Sequence, residues 1–281
     1  MQFRKKHLIS SLLLASLIAG PAMAEEAKKE IKPYVPRTMV EPYTGMELIW
    51  VEGGCYEMGC GKWQTDCADD EKPAHKVCLD GFWMGKFEVT QEQWQKVMEN
   101  NPSDYPAGPD NPVEMVTWKD TQDFIRKLNK QTENNPAVRL PTEAEWEYGA
   151  RSRGRNHKYA GGASVKDGLW YHWEWKIGDR MYPGGVQTQP VGGSKPNALG
   201  LYDMSGNVNE WVQDWYGSDY YEDSPTKNPT GPKVGKEKVI RGGHHPRRLN
   251  RFRTTSRAYH AQPEWNDFTI GFRLAAEPVK K

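Results

Sequence analysis

All four cysteines of this chain, Cys55, Cys60, Cys67 and Cys78, lie in one window between positions 55 and 78. In an exported chain, such clustering favours two disulfides over thiol chemistry. If Leu48 to Met58 and His75 to Val89 are antiparallel strands, nested pairing of Cys55 with Cys78 and of Cys60 with Cys67 closes the loop between them. A four-cysteine zinc site is the competing reading, and the absence of any CxxC pair counts against it.

Export is what the N-terminus predicts. Arg4, Lys5 and Lys6 precede an apolar run from Ile9 to Gly20, and Ala22-Met23-Ala24 fits a small-x-small cleavage site. Residues 1–24 therefore read as a signal peptide, with the mature chain beginning at Glu25 in the periplasm or outside the cell. There is no twin arginine and no cysteine at the cleavage point, so ordinary secretion is expected rather than folded export or lipidation. The run is too short to span a bilayer comfortably, and no later stretch is apolar enough to do so. With a net charge of +1, no global field recruits nucleic acid or an acidic membrane.

Charged and then Pro-punctuated residues 25–45 (Pro33, Pro36, Pro42) predict an extended tether, followed by one domain over 46–276 and a short tail, 277–281. Twelve Trp, 27 Gly and 20 Pro describe aromatic anchors joined by turns rather than long amphipathic helices. Strands are expected from Leu48 and over Gly81 to Thr90. Thr90 with Gln93, Thr117, and Thr142 with Glu145 mark three helix starts, two of them as capping boxes. Phe124, Ile125 and Leu128 form the apolar stripe of the second helix. The glycine-rich, aromatic stretch Ala160 to Asn197 reads as a long structured loop. Lys238 to Gly243 predicts a strand entering a turn, and Phe268 to Ala275 a closing strand. Short strands among two to three helices, with no internal repeat, predict a single loop-rich α+β domain.

Between these elements lies Gly200 to Trp215, GLYDMSGNVNEWVQDW. Its apolar anchors surround a polar insert of Asp203, Ser205, Asn207, Asn209 and Glu210, and oxygen donors this dense suit a hard cation such as calcium. An EF-hand is excluded, because Val208 stands where that loop needs glycine. The competing reading is an Asx-rich turn whose side chains bond their own backbone.

Several separated stretches coincide with one family. They are Glu88-Val-Thr with Trp94, Pro112-Val-Glu with Trp118, Arg139 to Arg151, Gly200 to Trp211, Arg241-Gly-Gly and Gly271-Phe-Arg, in that order. The chain thus resembles the formylglycine-generating enzyme, or sulfatase-modifying-factor, family, which implies an elaborated C-type-lectin-like α+β domain. The resemblance also implies a structural calcium held by the side chains of Asp203 and Glu210 and the carbonyls of Gly206 and Val208. A second calcium site of the family does not align with Asp167 to Asp179 and is not carried over. Members that generate formylglycine have a serine directly after Arg-Gly-Gly and two copper-binding cysteines beyond it. Here the serine position is His244, and no cysteine follows Cys78. Thiolate ligation of Cu(I) needs soft sulfur, so that chemistry is not expected. Asn209 replaces a tryptophan that walls the peptide groove in those enzymes.

Three site readings follow. His244, His245 and His260 are candidates for an imidazole metal set, though adjacent histidines on a strand face opposite sides. Arg247, Arg251, Arg253 and Arg257 could grip a carboxylate or phosphate if 251–257 is extended, the alternative being that they pair with core Asp and Glu. Trp170, Trp173 and Trp175 could floor a groove for a peptide or sugar, or simply belong to the core. The leading expectation is an exported, calcium-stabilised domain that binds a periplasmic peptide or protein. The alternative is an oxidoreductase with a His-ligated iron or copper, acting in maturation of such a peptide or protein.

Overall fold

A computed structural model describes residues 36–106, 108–162, 174–177, 180–183, 188–244, 249–257 and 259–278. All of these belong to one compact unit, Tyr34–Lys281. Among the described residues, no helix is long and apolar enough to cross a membrane.

The order of elements begins with β1 (Thr38–Val40), β2 (Glu47–Val51), β3 (Gly54–Met58), β4 (His75–Leu79) and β5 (Phe82–Gly85). Helices α1 (Gln91–Met98) and α2 (Trp118–Gln131) follow, then β6 (Val138–Arg139) and α3 (Glu143–Ala150). The remaining strands are β7 (Glu174–Ile177), β8 (Arg180–Pro183), β9 (Asn209–Trp215), β10 (Lys238–Arg241), β11 (Tyr259–Ala261), β12 (Ile270–Gly271) and β13 (Ala275–Ala276). They build a five-stranded sheet, β1-β2-β5-β13-β6, a four-stranded sheet, β11-β10-β9-β12, and two hairpins, β3–β4 and β7–β8.

Strand periodicity explains how the five-stranded sheet separates two cores. Alternate side chains of a strand point to opposite faces. Leu48 and Trp83 join the cluster of Trp94, Phe124, Leu128 and Phe272 under α1 and α2, whereas Ile49, Val51, Phe82 and Met84 join Trp146, Tyr148 and Leu201 beneath α3. Trp94 stacks on Phe124 at a centroid distance of 5.3 Å. All three helices begin at the expected threonines, whose hydroxyls accept from Gln93 N, Asp120 N and Glu145 N. These bonds satisfy donors that the first helical turn otherwise leaves open.

The nested disulfide pairing is present, Cys55–Cys78 across the β3–β4 register and Cys60–Cys67 in the loop between those strands. Three other expectations change. Within the Pro-punctuated 25–45 stretch, Thr38–Val40 adds to the edge of β2. The stretch Ala160 to Asn197 contains the β7–β8 hairpin. Phe268 to Ala275 is not one strand, because β12 pairs with β9 and β13 with β5 and β6. Between them the chain crosses from one sheet to the other, driven by Phe272 and Arg273, both fully buried. A Cβ on Gly271 would collide with Val113 O, so this crossing needs glycine there.

Candidate functional site

The Gly200–Trp215 segment enters β9 through a turn in which Asp203, Gly206 and Asn207 have φ of 58°, 142° and 62°. Asp and Asn tolerate this left-handed region better than other side-chain residues. Asp203 Oδ2 and Oδ1 accept from Gly192 N at 2.6 Å and Ser194 N at 3.3 Å. Glu210 receives Arg273 through both oxygens at 2.7 Å, and Trp146 Nε1 donates to its Oε2 at 2.8 Å. A third buried carboxylate, Glu88, accepts from Asn207 Nδ2 at 2.7 Å and Val208 N at 3.0 Å. Burial, reinforced by Asp203 and Glu210, pushes the Glu88 carboxyl well above its usual range, and Arg273 opposes the shift. Three carboxylates therefore face one guanidinium, an excess of two negative charges when all are ionised.

The arginines after β10 have a different setting. Arg241, Arg151 and Arg257 are buried around α3. Glu147 receives Arg151 at 2.7 Å and Arg241 at 2.5 Å. Arg257 forks onto Glu143 at 2.7 and 3.0 Å. Burial pushes the Glu143 carboxyl up, but Arg257 and Arg241 more than offset this and hold it below its usual range. Arg253 donates to both oxygens of Glu71 at 2.5 and 2.6 Å. Leu249–Phe252 is a 3-10 turn rather than extended chain. The expected one-sided arginine face over 251–257 is therefore absent, and Arg253 and Arg257 pair with core carboxylates. Arg251 is half-buried on that turn.

His244 follows Gly242 and Gly243, whose φ values are 105° and 98°. A Cβ on Gly243 would sit 2.5 Å from Arg251 O, so the Arg-Gly-Gly turn requires glycine on both conformational and steric grounds. His244 Nδ1 lies 2.9 Å from Asn207 O, which fixes that nitrogen as the donor, and its ring meets Phe268 edge-on at 6.2 Å. His260 belongs elsewhere. It lies opposite Val239 near the start of β10, stacks on Tyr216 at 3.8 Å and pairs with Glu237 at 2.8 Å. The structure does not bring His244 and His260 into one ligand set. His245, Arg247, Trp170 and Trp173 lie outside the described residues, as do the side chain of Trp175 and the leader 1–24.

Asn209 is buried. Its Nδ2 donates to Thr269 O and Oγ1, both at 3.2 Å, while its Oδ1 has no hydrogen-bond partner. Glu114 Oε2 is likewise buried without a partner, and Oε1 accepts from Tyr105 N at 2.8 Å. Burial lifts the Glu114 carboxyl above its usual range, aided by Asp104 and Asp267. Sequence reasoning used Glu88, Glu114 and Arg273 only as markers within motifs. A charged residue placed in an otherwise apolar stretch, as in Glu88-Val-Thr and Gly271-Phe-Arg, was the available signal of a buried partner.

The profile of the Sulfatase-modifying factor enzyme 1-like domain matches residues 35–278. A formylglycine-generating enzyme of Streptomyces coelicolor is 36% identical over 197 residues, 66% of this chain, which spans 59% of that enzyme. Chaperone protein LppX of Paenibacillus barcinonensis is 32% identical over 214 residues, 60% of this chain and 72% of the chaperone. Among solved structures, Treponema denticola variable protein 1 superposes with a TM-score of 0.71 at 27% identity, covering 87% of this chain and all of its own.

Proposed function

The chain belongs to the sulfatase-modifying factor enzyme 1-like domain family, and we propose that it acts there as an exported, calcium-braced module that binds a peptide or protein. Copper-dependent formylglycine generation is not part of this reading. The observation that carries it is the state of the cysteines. All four are joined in disulfides, and none follows Cys78, so the Arg-Gly-Gly turn has no thiolate to offer Cu(I).

The oxygen donors of the 200–215 turn are of the kind calcium takes, although both oxygens of Glu210 already receive Arg273. The carboxylates of Asp203 and Glu210 with the carbonyls of Gly206 and Val208 would hold it, and the two negative charges in excess around Arg273 are what a divalent cation balances. Bound there, calcium supplies no reaction step and fixes the turn that positions Asn207 and, through it, His244. A chaperone among the relatives supports a binding role, and the N-terminal leader pattern with two disulfides supports export.

The test combines three measurements on the mature protein. Metal analysis is expected to find stoichiometric calcium removed by EDTA. Incubation with Cu(I), oxygen and a cysteine-containing sulfatase peptide is expected to yield no formylglycine by mass spectrometry. Crosslinking in the cell envelope is expected to trap a peptide or protein, with capture lost in Asn209→Trp. Turnover of the peptide, or stoichiometric iron or copper lost in His244→Ala, would overturn the proposal.

A further inference from the structure

Among the described residues, a single group of three His, Cys, Asp or Glu side chains brings its ligand atoms within 4.8 Å of one another: Cys60, Cys67 and Glu71. None of its three residues belongs to the Arg-Gly-Gly turn or to the 200–215 turn. The two sulfurs are bonded to each other, and what surrounds them is more elaborate than a structural staple requires.

Glu71 is buried and clamped by Arg253 through both oxygens. Its Oε2 also receives the hydroxyl proton of Thr255 at 2.8 Å. With that proton committed, Thr255 Oγ1 can only accept from Gln64, whose Nε2 lies 2.8 Å away. The orientation of the Gln64 amide is therefore set by Glu71 through Thr255. It points Nε2 at both sulfurs, 3.6 Å from Cys60 Sγ and 3.5 Å from Cys67 Sγ. Gln64 is itself buried, and its Oε1 has no hydrogen-bond partner. An N–H aimed at sulfur favours the thiolate over the thiol, and a leaving thiolate of lower pKa departs faster. The pair is also reachable. An open pocket of about 660 Å³ is lined by Glu57, Cys60, Lys62, Trp63 and Asn156. Cys60 is the sulfur-bearing residue in that lining, and Lys62 favours an anionic attacker.

We propose that Cys60–Cys67 is a thiol–disulfide exchange site that accepts two electrons from a dithiol entering by this pocket, with Gln64 as its positioning residue. The dithiol's first thiolate attacks Cys60 Sγ. A mixed disulfide forms as the Cys60–Cys67 bond breaks, and the electron pair leaves on Cys67 Sγ, toward Gln64 Nε2. The second thiol, deprotonated, then attacks the reductant's own sulfur in the mixed disulfide, which closes the reductant into a disulfide and releases the Cys60 thiolate. The dithiol loses two electrons and two protons, and the two protein sulfurs take up protons from water. Cys55–Cys78, fixed between directly opposed strand positions, has no such amide among its described contacts.

Dithiothreitol is the probe. The folded mature protein is pulsed with it, quenched with iodoacetamide and read by peptide mass spectrometry. Cys60 and Cys67 are expected to label together while Cys55 and Cys78 remain joined. Gln64→Leu is expected to slow this reduction, because a leaving thiol of higher pKa departs more slowly. Thr255→Ala, which frees the amide to turn, is expected to slow it likewise. In Cys60→Ser, the alkylation of Cys67 is expected to move to higher pH when Gln64→Leu is added, an effect that loss of packing does not produce. The proposal is overturned if both disulfides reduce together, if reduction occurs only at the rate of global unfolding, or if Gln64→Leu leaves rate and pH profile unchanged.

Discussion

Two buried charge clusters in this molecule are opposite in balance. Around α3, the carboxylates of Glu143 and Glu147 meet three guanidiniums, Arg151, Arg241 and Arg257. Around the 200–215 turn, Glu88, Asp203 and Glu210 meet one guanidinium among the described residues, that of Arg273. In the first, the fork geometry of arginine lets two carboxylates satisfy several guanidinium N–H groups at once, with carbonyls such as Glu57 O and Ser256 O taking others and Arg241 Nε left 3.7 Å from Glu143 without a hydrogen bond. The cluster closes on itself. The second cannot close this way, since carboxylates offer no donors to one another. It must take up a cation, or hold a proton on Glu88. Charge count thus separates a framework rich in guanidiniums from a turn left with excess carboxylate.

Removing one member of the closed cluster should have the largest effect. Glu147 accepts from Arg151, Arg241 and Gly59 N. Glu147→Ala leaves two buried guanidiniums without their carboxylate, a change that costs about 3–5 kcal/mol, a large part of a typical domain's stability. Urea unfolding followed by tryptophan fluorescence should show a midpoint far below that of the parent, or no folded baseline. A loss below about 1 kcal/mol would mean the cluster is not a framework, and the contrast with the turn would collapse.

The open cluster is tested by ligand. Calcium at one hundred times its dissociation constant should add about 2.7 kcal/mol, seen as a higher melting temperature that EGTA reverses. Asp203→Ala should abolish the calcium response, and Glu147 variants that still fold should keep it. Glu88→Gln separates the two ways of handling the excess charge. Without calcium it should relieve the burial penalty on the charge, while its amide nitrogen replaces one of the two oxygens that accept from Asn207 and Val208. No calcium response in the parent, together with stabilisation by Glu88→Gln, would assign the proton rather than the cation to this turn.

Legibility in the sequence follows the same division. The helix starts at Thr90, Thr117 and Thr142 were readable because cap and partner lie three residues apart. The disulfide pairing was readable because strand register places Cys55 opposite Cys78. Arg273 and Glu210 are 63 positions apart, and Arg253 and Glu71 182, so no local period connects them. Arg253 and Arg257 look like a ligand-gripping face in the sequence because their partners, Glu71 and Glu143, lie 182 and 114 positions away. The split of Phe268 to Ala275 into β12 and β13 was hidden for a related reason: its alternation fits a strand, and only the buried Arg273–Glu210 pair forces the crossing.

A further test lies where the closed cluster meets β9. Asp214 Oδ2 accepts from Glu143 N at 2.9 Å. Burial, together with Glu143 and Glu145, pushes its carboxyl up to about 8, against the pull of Lys238. Between the unfolded value of 3.8 and about 8, the folded protein holds a proton that the unfolded chain has lost, so stability falls as pH rises through that window and levels off above it. Asp214→Asn keeps an acceptor for Glu143 N and removes the titration. It should match the parent at pH 4 and exceed it at pH 7, by about 1.4 kcal/mol for each pH unit above the unfolded value. Lys238, held between Trp118 and Trp215 at 4.0 and 3.9 Å, is lowered to about 8 by burial. It adds the opposite slope as pH rises through that value, so the comparison at pH 7 and below isolates Asp214. Equal stability of Asp214→Asn and parent at both pH values would place a compensating charge beside Asp214 and narrow the imbalance between the two clusters.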